Sequence, residues 1–335
     1  MRISSIVDIV EGNLVSSPSI SFIYDIKTKL NKIHEGDLFI AKNENEINEA
    51  IQKGAFAILY DFEMPIVDSE IAWIKVDNTD WAISRLIRYK LSNLELNAFY
   101  CDKITFEILS IYIKSNDDEI KLVSNNLSEN LYSLNGIDTV HTIICSNQEL
   151  LDDIYPNNCS FNKNHYEVKN LIEHSLFETS FSSDDQYFPR IKLPSLYINE
   201  FLDAYAFLQD REDKEESSDV TRLKKLNYFK PTFIDKYFEL IDYGYSNKFI
   251  LSQLDLRIAK NEIKFLKEKY KYAKTIIITS SQLSEFFNDA DFYIDDIHEI
   301  KILLKNIKFN ALYVIGFDIN HIEELVTKNR TKALL

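Results

Sequence analysis

The last hundred residues constrain the fold most strongly, because short apolar runs alternate there with amphipathic segments. The predicted strands and helices alternate in chain order at residues 275–279, 281–288, 292–294, 297–306, 311–315 and 319–328. Strands that alternate with helices at this spacing are typical of a parallel sheet with right-handed crossover connections. We therefore predict a Rossmann-like α/β domain at this end of the chain.

Upstream of this series the sequence predicts one more strand, at residues 238–243, and a long amphipathic helix. The apolar stripe of this helix recurs at i, i+4, i+7, i+11 and i+14, and it consists of Ala259, Ile263, Leu266, Tyr270 and Ala273. This spacing places the apolar side chains on one face of a helix. Lysines and glutamates alternate on the remaining surface, so we interpret the helix as facing the core rather than binding phosphate.

The first 95 residues are typical of a smaller α/β unit. The predicted elements are a turn and strand at residues 36–41, strands at 55–60 and 71–76, and helices at 45–53 and 79–91. Residues 55–60 form a continuous apolar run, as expected for a strand that is covered on both faces. Gly54 follows the first helix, at a position where glycine commonly ends a helix.

The middle of the chain begins with the same alternation and then becomes irregular. The predicted elements are strands at 98–101, 120–124 and 140–145, a helix at 103–114, and helical spacing within 193–208. Residues 210–219 are mostly charged, which favours a solvated linker. We predict three domains, at residues 1–95, 96–230 and 231–335.

The charge balance argues against several classes of partner. Lysine and arginine number 38 against 53 aspartates and glutamates, a formal net charge of −15. Duplex-binding proteins present a basic surface, so we expect no nucleic-acid partner. No apolar run reaches the length of a membrane-spanning helix, and Asp8 and Glu11 interrupt the apolar start, so we expect a cytoplasmic protein without membrane insertion. The three cysteines include no CxxC pair, which favours reduced, mostly buried thiols.

Glycine is scarce, with six residues in a chain of 335. Glycine makes up about 7% of an average protein, so this chain has roughly a quarter of the usual amount. None of the six stands in a GxGxxG or GxxxxGK[ST] arrangement, which are the loops that wrap phosphates through close backbone approach. The sequence therefore predicts no intact phosphate-binding loop.

Three spaced segments carry a resemblance to a known family. They are IHEGDLFIA at residues 33–41, the stretch from Ala50 through GAFAIL at 54–59, and IKVDNT at 74–79. In this order they resemble the N-terminal domain of the Mur ligases, cytoplasmic enzymes of peptidoglycan synthesis. Within the family they are most similar to the ligase that adds D-alanyl-D-alanine to a UDP-N-acetylmuramoyl tripeptide. The resemblance implies a three-part α/β architecture.

The C-terminal part is similar to the same family at LIDYGYSN, residues 240–247, which matches the stretch that opens the third domain. Asp242 and Asn247 are therefore implied remnants of ATP contacts. Near the N-terminus, Asp25-Ile26-Lys27 resembles the family's DSR motif, which helps to hold the uridine nucleotide. The resemblance thus implies that Asp25 and Lys27 are sugar-nucleotide contacts.

The family's central phosphate loop is the segment from which this chain departs most. Mur ligases carry TGSNGKTTT there, and the corresponding junction reads AFYCDKITFE at residues 98–107. Lys103 and Thr105 are implied remnants of the GKT run, but no glycine remains. Asp102 places a carboxylate at the start of the following helix, where a phosphate would need free N–H groups. The family's magnesium-binding glutamate and histidine and its carbamylated lysine have no counterpart here.

Other chemistry receives weaker support from the residues. His165 and His174 lie nine apart in a polar stretch, and we interpret them as exposed or locally bonded imidazoles rather than a metal pair. Doubled acids such as Asp117-Asp118 are typical of turns and solvated surfaces. We therefore predict no metal site and no catalytic residue.

Together these observations favour a Mur-ligase-like protein with a reduced, degenerate ATPase-like centre that acts by binding rather than ligation. The expected partner is a UDP-N-acetylmuramoyl peptide or a cell-wall synthesis protein, and no cofactor is expected. The first alternative is a divergent ligase that forms an amide bond with ATP and Mg²⁺. The second is an unrelated α/β interaction protein.

Overall fold

The computed structural model describes residues 1–16, 18–114, 117, 119–134, 141–161, 165–209, 223 and 226–327. The chain divides into two compact units, residues 1–106 with 113–162 and residues 107–112 with 163–335. The predicted division into three domains stays a prediction, and the predicted charged linker at 210–219 lies outside the described residues.

The first unit begins with a five-stranded sheet in the order β1-β5-β4-β3-β2. Its elements are α1 Ile3–Val10, β1 Asn13–Leu14, β2 Ile26–Lys27, β3 Leu38–Ile40, α2 Ile47–Gln52, β4 Ala57–Tyr60, β5 Ala72–Lys75 and α3 Thr79–Leu91. Strands β2 to β5 are parallel and β1 is antiparallel. The predicted α/β alternation is confirmed. Helix α1 was not predicted, although Ile3, Ile6 and Val10 bury one face of it.

A second, parallel sheet completes this unit, in the order β7-β8-β6-β9. Its elements are β6 Asn97–Tyr100, α4 Lys103–Tyr112, β7 Ile120–Val123, α5 Leu127–Ser133, β8 Thr142–Cys145, α6 Gln148–Ile154 and β9 Cys159–Ser160. Buried residues of both sheets and of α3 belong to one hydrophobic core. Helix α3 packs against α1, α5 and α6, and its apolar residues, which lie at helical spacing, belong to this core.

The second unit contains a three-stranded antiparallel sheet that the sequence patterns did not predict. Its strands are β10 Lys169–Ser175, β11 Glu178–Ser183 and β12 Gln186–Ile191, followed by α7 Ile198–Gln209. Every residue of β10 is exposed, so the strand lacks the apolar alternation by which strands are predicted. The predicted helical spacing within 193–208 is confirmed by α7.

A five-stranded sheet in the order β13-β14-β17-β15-β16 forms the rest of this unit. Its elements are β13 Thr232–Phe233, β14 Phe249–Gln253, α8 Leu256–Lys269, β15 Thr275–Ser280, β16 Phe292–Ile294, α9 His298–Asn306, β17 Ala311–Ile315 and α10 Ile319–Thr327. The four strands β14 to β17 pair in parallel, as predicted. The Rossmann-like fold is confirmed.

Two predicted elements of this part are wrong. Residues 238–243 form no strand beyond an isolated bridge between Ile234 and Leu240. The carboxylate of Asp235 accepts N–H bonds from Tyr237 and Glu239 and so closes a turn there. Of the predicted helix at 281–288, the structure forms only a 3₁₀ turn at Ser281–Leu283. Asn and Asp residues follow it, and their side chains favour turns over helix interiors.

Candidate functional site

The junction between β6 and α4 is the place where a phosphate loop would lie. Asp102 caps the helix there: one carboxylate oxygen accepts the backbone N–H bonds of Ile104 and Thr105, both at 2.9 Å. The other oxygen accepts the Thr105 hydroxyl at 2.5 Å. An aspartate at this position is a strong helix cap because it satisfies N–H groups that the helix leaves unpaired.

The capped junction does not fit the triphosphate that the resemblance implies. The N–H groups of Ile104 and Thr105 are bonded to a carboxylate, and that carboxylate would repel a phosphate. Thr105 is buried, at 1% exposure, and its hydroxyl is bonded to the Asp102 carboxylate rather than open to a ligand. Lys103 is exposed. The predicted nucleotide remnants Lys103 and Thr105 therefore lie beside a blocked helix end.

Asp25 and Lys27, the predicted sugar-nucleotide residues, form an ion pair at the end of β2. The Lys27 Nζ atom lies 2.5 Å from Asp25 Oδ2. Burial opposes ionisation of Asp25, but the hydrogen bonds from Lys27 and from the Ile26 N–H group, together with the charges of Lys27 and Lys90, outweigh burial and lower the pKa of Asp25. Burial likewise disfavours the charged form of Lys27, yet the bond to Asp25 raises its pKa. The two side chains therefore hold each other in the charged state.

Two further residues of the first unit approach this pair, and no sequence motif pointed to either. Burial lowers the pKa of Lys90, and the charge of Lys27 lowers it further while Asp25 opposes the shift. The Tyr132 hydroxyl accepts backbone N–H bonds from Thr28 at 2.6 Å and from Lys29 at 3.0 Å. These residues stand more than sixty positions along the chain from Asp25, so local spacing carried no signal for them.

In the second unit, Asn247 lines a cavity of about 460 Å³. Aromatic side chains surround this cavity: Phe177, Phe233, Tyr243, Phe249, Phe265 and Tyr270. Phe177 is central among them, with its ring centroid 5.1 Å from that of Phe249 and 6.1 Å from that of Phe233. The volume is within the range of small-molecule pockets. Asp242 lies on the adjoining surface with Leu240 and Tyr245 and does not line this cavity.

Four polar side chains of the cavity are bonded in two pairs. Lys269 Nζ lies 2.7 Å from Glu173 Oε1, and the hydroxyls of Ser175 and Tyr243 are 3.1 Å apart. A charged ligand would have to compete with the ion pair, so the free cavity is predominantly apolar and aromatic. Sequence spacing could not reveal it, because the strand that bears Glu173 and Ser175 was not predicted.

Metal-binding chemistry finds little support in the described part of the chain. His174 Nε2 lies 2.7 Å from the Ser180 hydroxyl, a local bond across two strands of one sheet. Within the ranges that the structure describes, no three His, Cys, Asp or Glu side chains gather closely enough to hold a metal ion. None of the described helices is both long enough and apolar enough to cross a membrane.

Comparison with known proteins bears on the fold. No protein-family model matches the sequence, and no curated protein matches it either. Among solved structures, the MurF ligase from Thermotoga maritima in complex with ADP is similar at 15% identity and a TM-score of 0.54, over 92% of this chain and 98% of that one. MurF from Acinetobacter baumannii is similar at 13% identity and a TM-score of 0.56, over 97% of each chain.

A second Acinetobacter baumannii structure, a UDP-N-acetylmuramoylalanyl-D-glutamyl-2,6-diaminopimelate–D-alanyl-D-alanyl ligase, is similar at 12% identity and a TM-score of 0.54, over 99% of this chain and 98% of that one. These similarities extend over nearly the whole chain and include the segments that first suggested the family. Identities of this size bear on the fold alone. The chain therefore has the multidomain α/β fold of the Mur ligases.

Proposed function

We propose that this protein is a non-catalytic Mur-ligase-like protein that acts by binding in peptidoglycan precursor synthesis or envelope assembly. The observation that carries the proposal is the cap that Asp102 forms on α4. A ligase of this fold needs a phosphate position at that junction, and here a carboxylate takes it. The glycines that would let a backbone wrap a phosphate are also missing from residues 98–107.

The proposed ligand is a UDP-N-acetylmuramoyl peptide, bound near Asp25 and Lys27. One of the similar structures is named as a ligase of such a precursor, which motivates this choice. A diphosphate needs cationic side chains and N–H donors, and Lys27, Lys29 and Lys90 supply the cations in this unit. A cell-wall synthesis protein is the other partner that the proposal allows.

One observation favours a divergent ATP-dependent ligase as a second candidate. Asn247, an implied ATP contact, borders the aromatic cavity of the second unit, and Asp242 lies on the surface beside it. The similar MurF ligase from Thermotoga maritima was solved with ADP. In this candidate the adenosine part of ATP would bind through the second unit, and the phosphates would need contacts other than the β6–α4 junction.

Isothermal titration calorimetry separates these functions. The protein is titrated with Mg²⁺-ATP and, separately, with UDP-N-acetylmuramoyl peptide. We expect no heat from ATP and saturable heat from the precursor, and Lys27→Gln should weaken precursor binding about tenfold through loss of one charged contact. The matched control is Lys53→Gln, which removes another lysine paired with a carboxylate in the same unit and should leave binding unchanged.

Each result points to one function. Micromolar binding of Mg²⁺-ATP would contradict the blocked junction and make the divergent ligase the working function. If neither ligand gives a heat of binding, precursor binding is refuted, and a protein partner becomes the next candidate.

A further inference from the structure

Two consecutive backbone N–H groups, in the loop after β2, converge on a single oxygen atom. Thr28 and Lys29 donate to the Tyr132 hydroxyl at 2.6 and 3.0 Å, and the Thr28 hydroxyl lies 3.3 Å from the same atom. Tyr132 lies on α5, 104 residues after Thr28. A side chain from a different segment thus occupies the donors of this loop.

Two lysines, Lys27 and Lys29, lie close to these donors, and Lys27 is itself paired with Asp25. Lys27 ends β2 directly before this loop, close enough to Tyr132 for its charge and the tyrosine to interact. The Lys29 ammonium lies 6.0 Å from the centroid of the Tyr132 ring. Hydrogen bonds from N–H groups to a charged phosphate oxygen are roughly twice as strong as those to a neutral oxygen. Thr28 and Tyr132 are half-buried and Lys29 is exposed, so an anion can reach the site.

We propose that Tyr132 regulates this site by competing with the phosphate groups of the ligand. The hydroxyl holds the Thr28 and Lys29 N–H groups in the free protein, and a phosphoryl oxygen takes them when the tyrosine withdraws. The inference rests on the proposed function, because it assigns a regulator to the same binding site. The affinity for the precursor then depends on how strongly the Tyr132 hydroxyl and the phosphoryl oxygen each bind these two N–H groups.

The test compares three proteins by calorimetric titration with inorganic pyrophosphate and with UDP-N-acetylmuramoyl peptide. Tyr132→Phe removes the competing oxygen, and we expect it to bind pyrophosphate about tenfold more tightly than the unmodified protein, the equivalent of one hydrogen bond. The matched control is Tyr155→Phe, because the Tyr155 hydroxyl also accepts a backbone N–H bond, from Leu96, within the same unit. This control should bind pyrophosphate like the unmodified protein.

The outcomes distinguish this inference from the proposed function. Equal pyrophosphate affinity in Tyr132→Phe and the unmodified protein, or no binding by either, overturns the competition. Precursor binding by the unmodified protein together with that result leaves the proposed function intact. Tighter pyrophosphate binding by Tyr132→Phe without precursor binding by the unmodified protein supports the competition and refutes the proposed function.

A second measurement applies if Tyr132→Phe does not fold. In the unmodified protein, nuclear magnetic resonance follows the amide signals of Thr28 and Lys29 and the ring signals of Tyr132 during pyrophosphate titration. If pyrophosphate displaces the Tyr132 hydroxyl, the two amide signals and the ring signals should all shift with the same titration midpoint. Amide shifts with an unmoved Tyr132 ring, or no amide shift, would refute it.

Discussion

The Thr105 hydroxyl donates a 2.5 Å hydrogen bond to the carboxylate of Asp102, so a residue implied to bind nucleotide is instead part of a helix cap. Replacing Asp102 by alanine removes the acceptor of two backbone N–H bonds as well as this one. We expect Asp102→Ala to lower the free energy of unfolding by about 1–2 kcal/mol, measured by urea denaturation.

Asp102→Asn is the matched control for this cap. Asparagine caps helices about as well as aspartate, so this variant should keep most of the stability while removing the charge. Neither variant should acquire ATP binding, because the loop still lacks glycine. An Asp102→Ala protein as stable as the unmodified one would show that the cap contributes little.

Glu262 makes the stability of the second unit depend on pH. Its side chain is fully buried and accepts hydrogen bonds from the hydroxyls of Tyr197 and Tyr313. Burial raises the pKa of Glu262 from 4.5 to about 7, while the hydrogen bonds oppose the shift. The native state therefore retains a proton that the unfolded chain releases between these values.

The stabilisation from this proton is complete below pH 4.5 and is lost as the pH rises through about 7. The shift corresponds to roughly 3 kcal/mol. We expect the difference in unfolding free energy between the unmodified protein and Glu262→Gln to fall by about this amount over that range. Glu268→Gln, an exposed change on the same helix, is the control. A difference that does not vary with pH would contradict the assignment.

A side chain at Gly54 should destabilise the first unit. Its φ is +89°, and a Cβ atom there would lie 3.0 Å from the backbone Cα of Glu35. Gly244 has a similar φ of +83°, but a Cβ atom at that position would have no neighbouring atom within 4 Å. We expect Gly244→Ala to cost about 1–2 kcal/mol from backbone strain alone, and Gly54→Ala to cost at least about 1 kcal/mol more.

The stability lost in each glycine variant can be measured by amide hydrogen exchange, since this method reports the opening of each compact unit separately. Equal losses in the two variants would show that Glu35 moves aside without cost.

The cysteines should differ in reactivity toward Ellman's reagent. Cys101 and Cys145 are buried and Cys159 is exposed. Burial also raises the pKa of Cys145, which reduces its thiolate fraction. We expect one thiol to react in the native protein and all three in denaturant, with Cys159→Ser abolishing the native reaction. Rapid reaction of more than one native thiol would contradict the burial of the other two.

Local periodicity explains which elements were predicted. Helix α3, Thr79–Leu91, was predicted to the residue because its apolar positions repeat at helical spacing, and the structure adds that Asn78 caps it. Strand β10, Lys169–Ser175, was missed because all its residues are exposed. Its pairing with β11 depends on backbone hydrogen bonds, which no pattern of side chains predicts.

The candidate site, too, could be predicted only in part from the sequence. The absence of glycine from the β6–α4 junction and the presence of Asp102 could be read from the residues, because capping joins residues two and three apart. The meeting of Tyr132 with Thr28, and the cavity that aromatic side chains of separate elements enclose, emerged only once the chain was folded. Such contacts join distant segments, and their geometry follows from packing of the whole unit rather than from any local repeat.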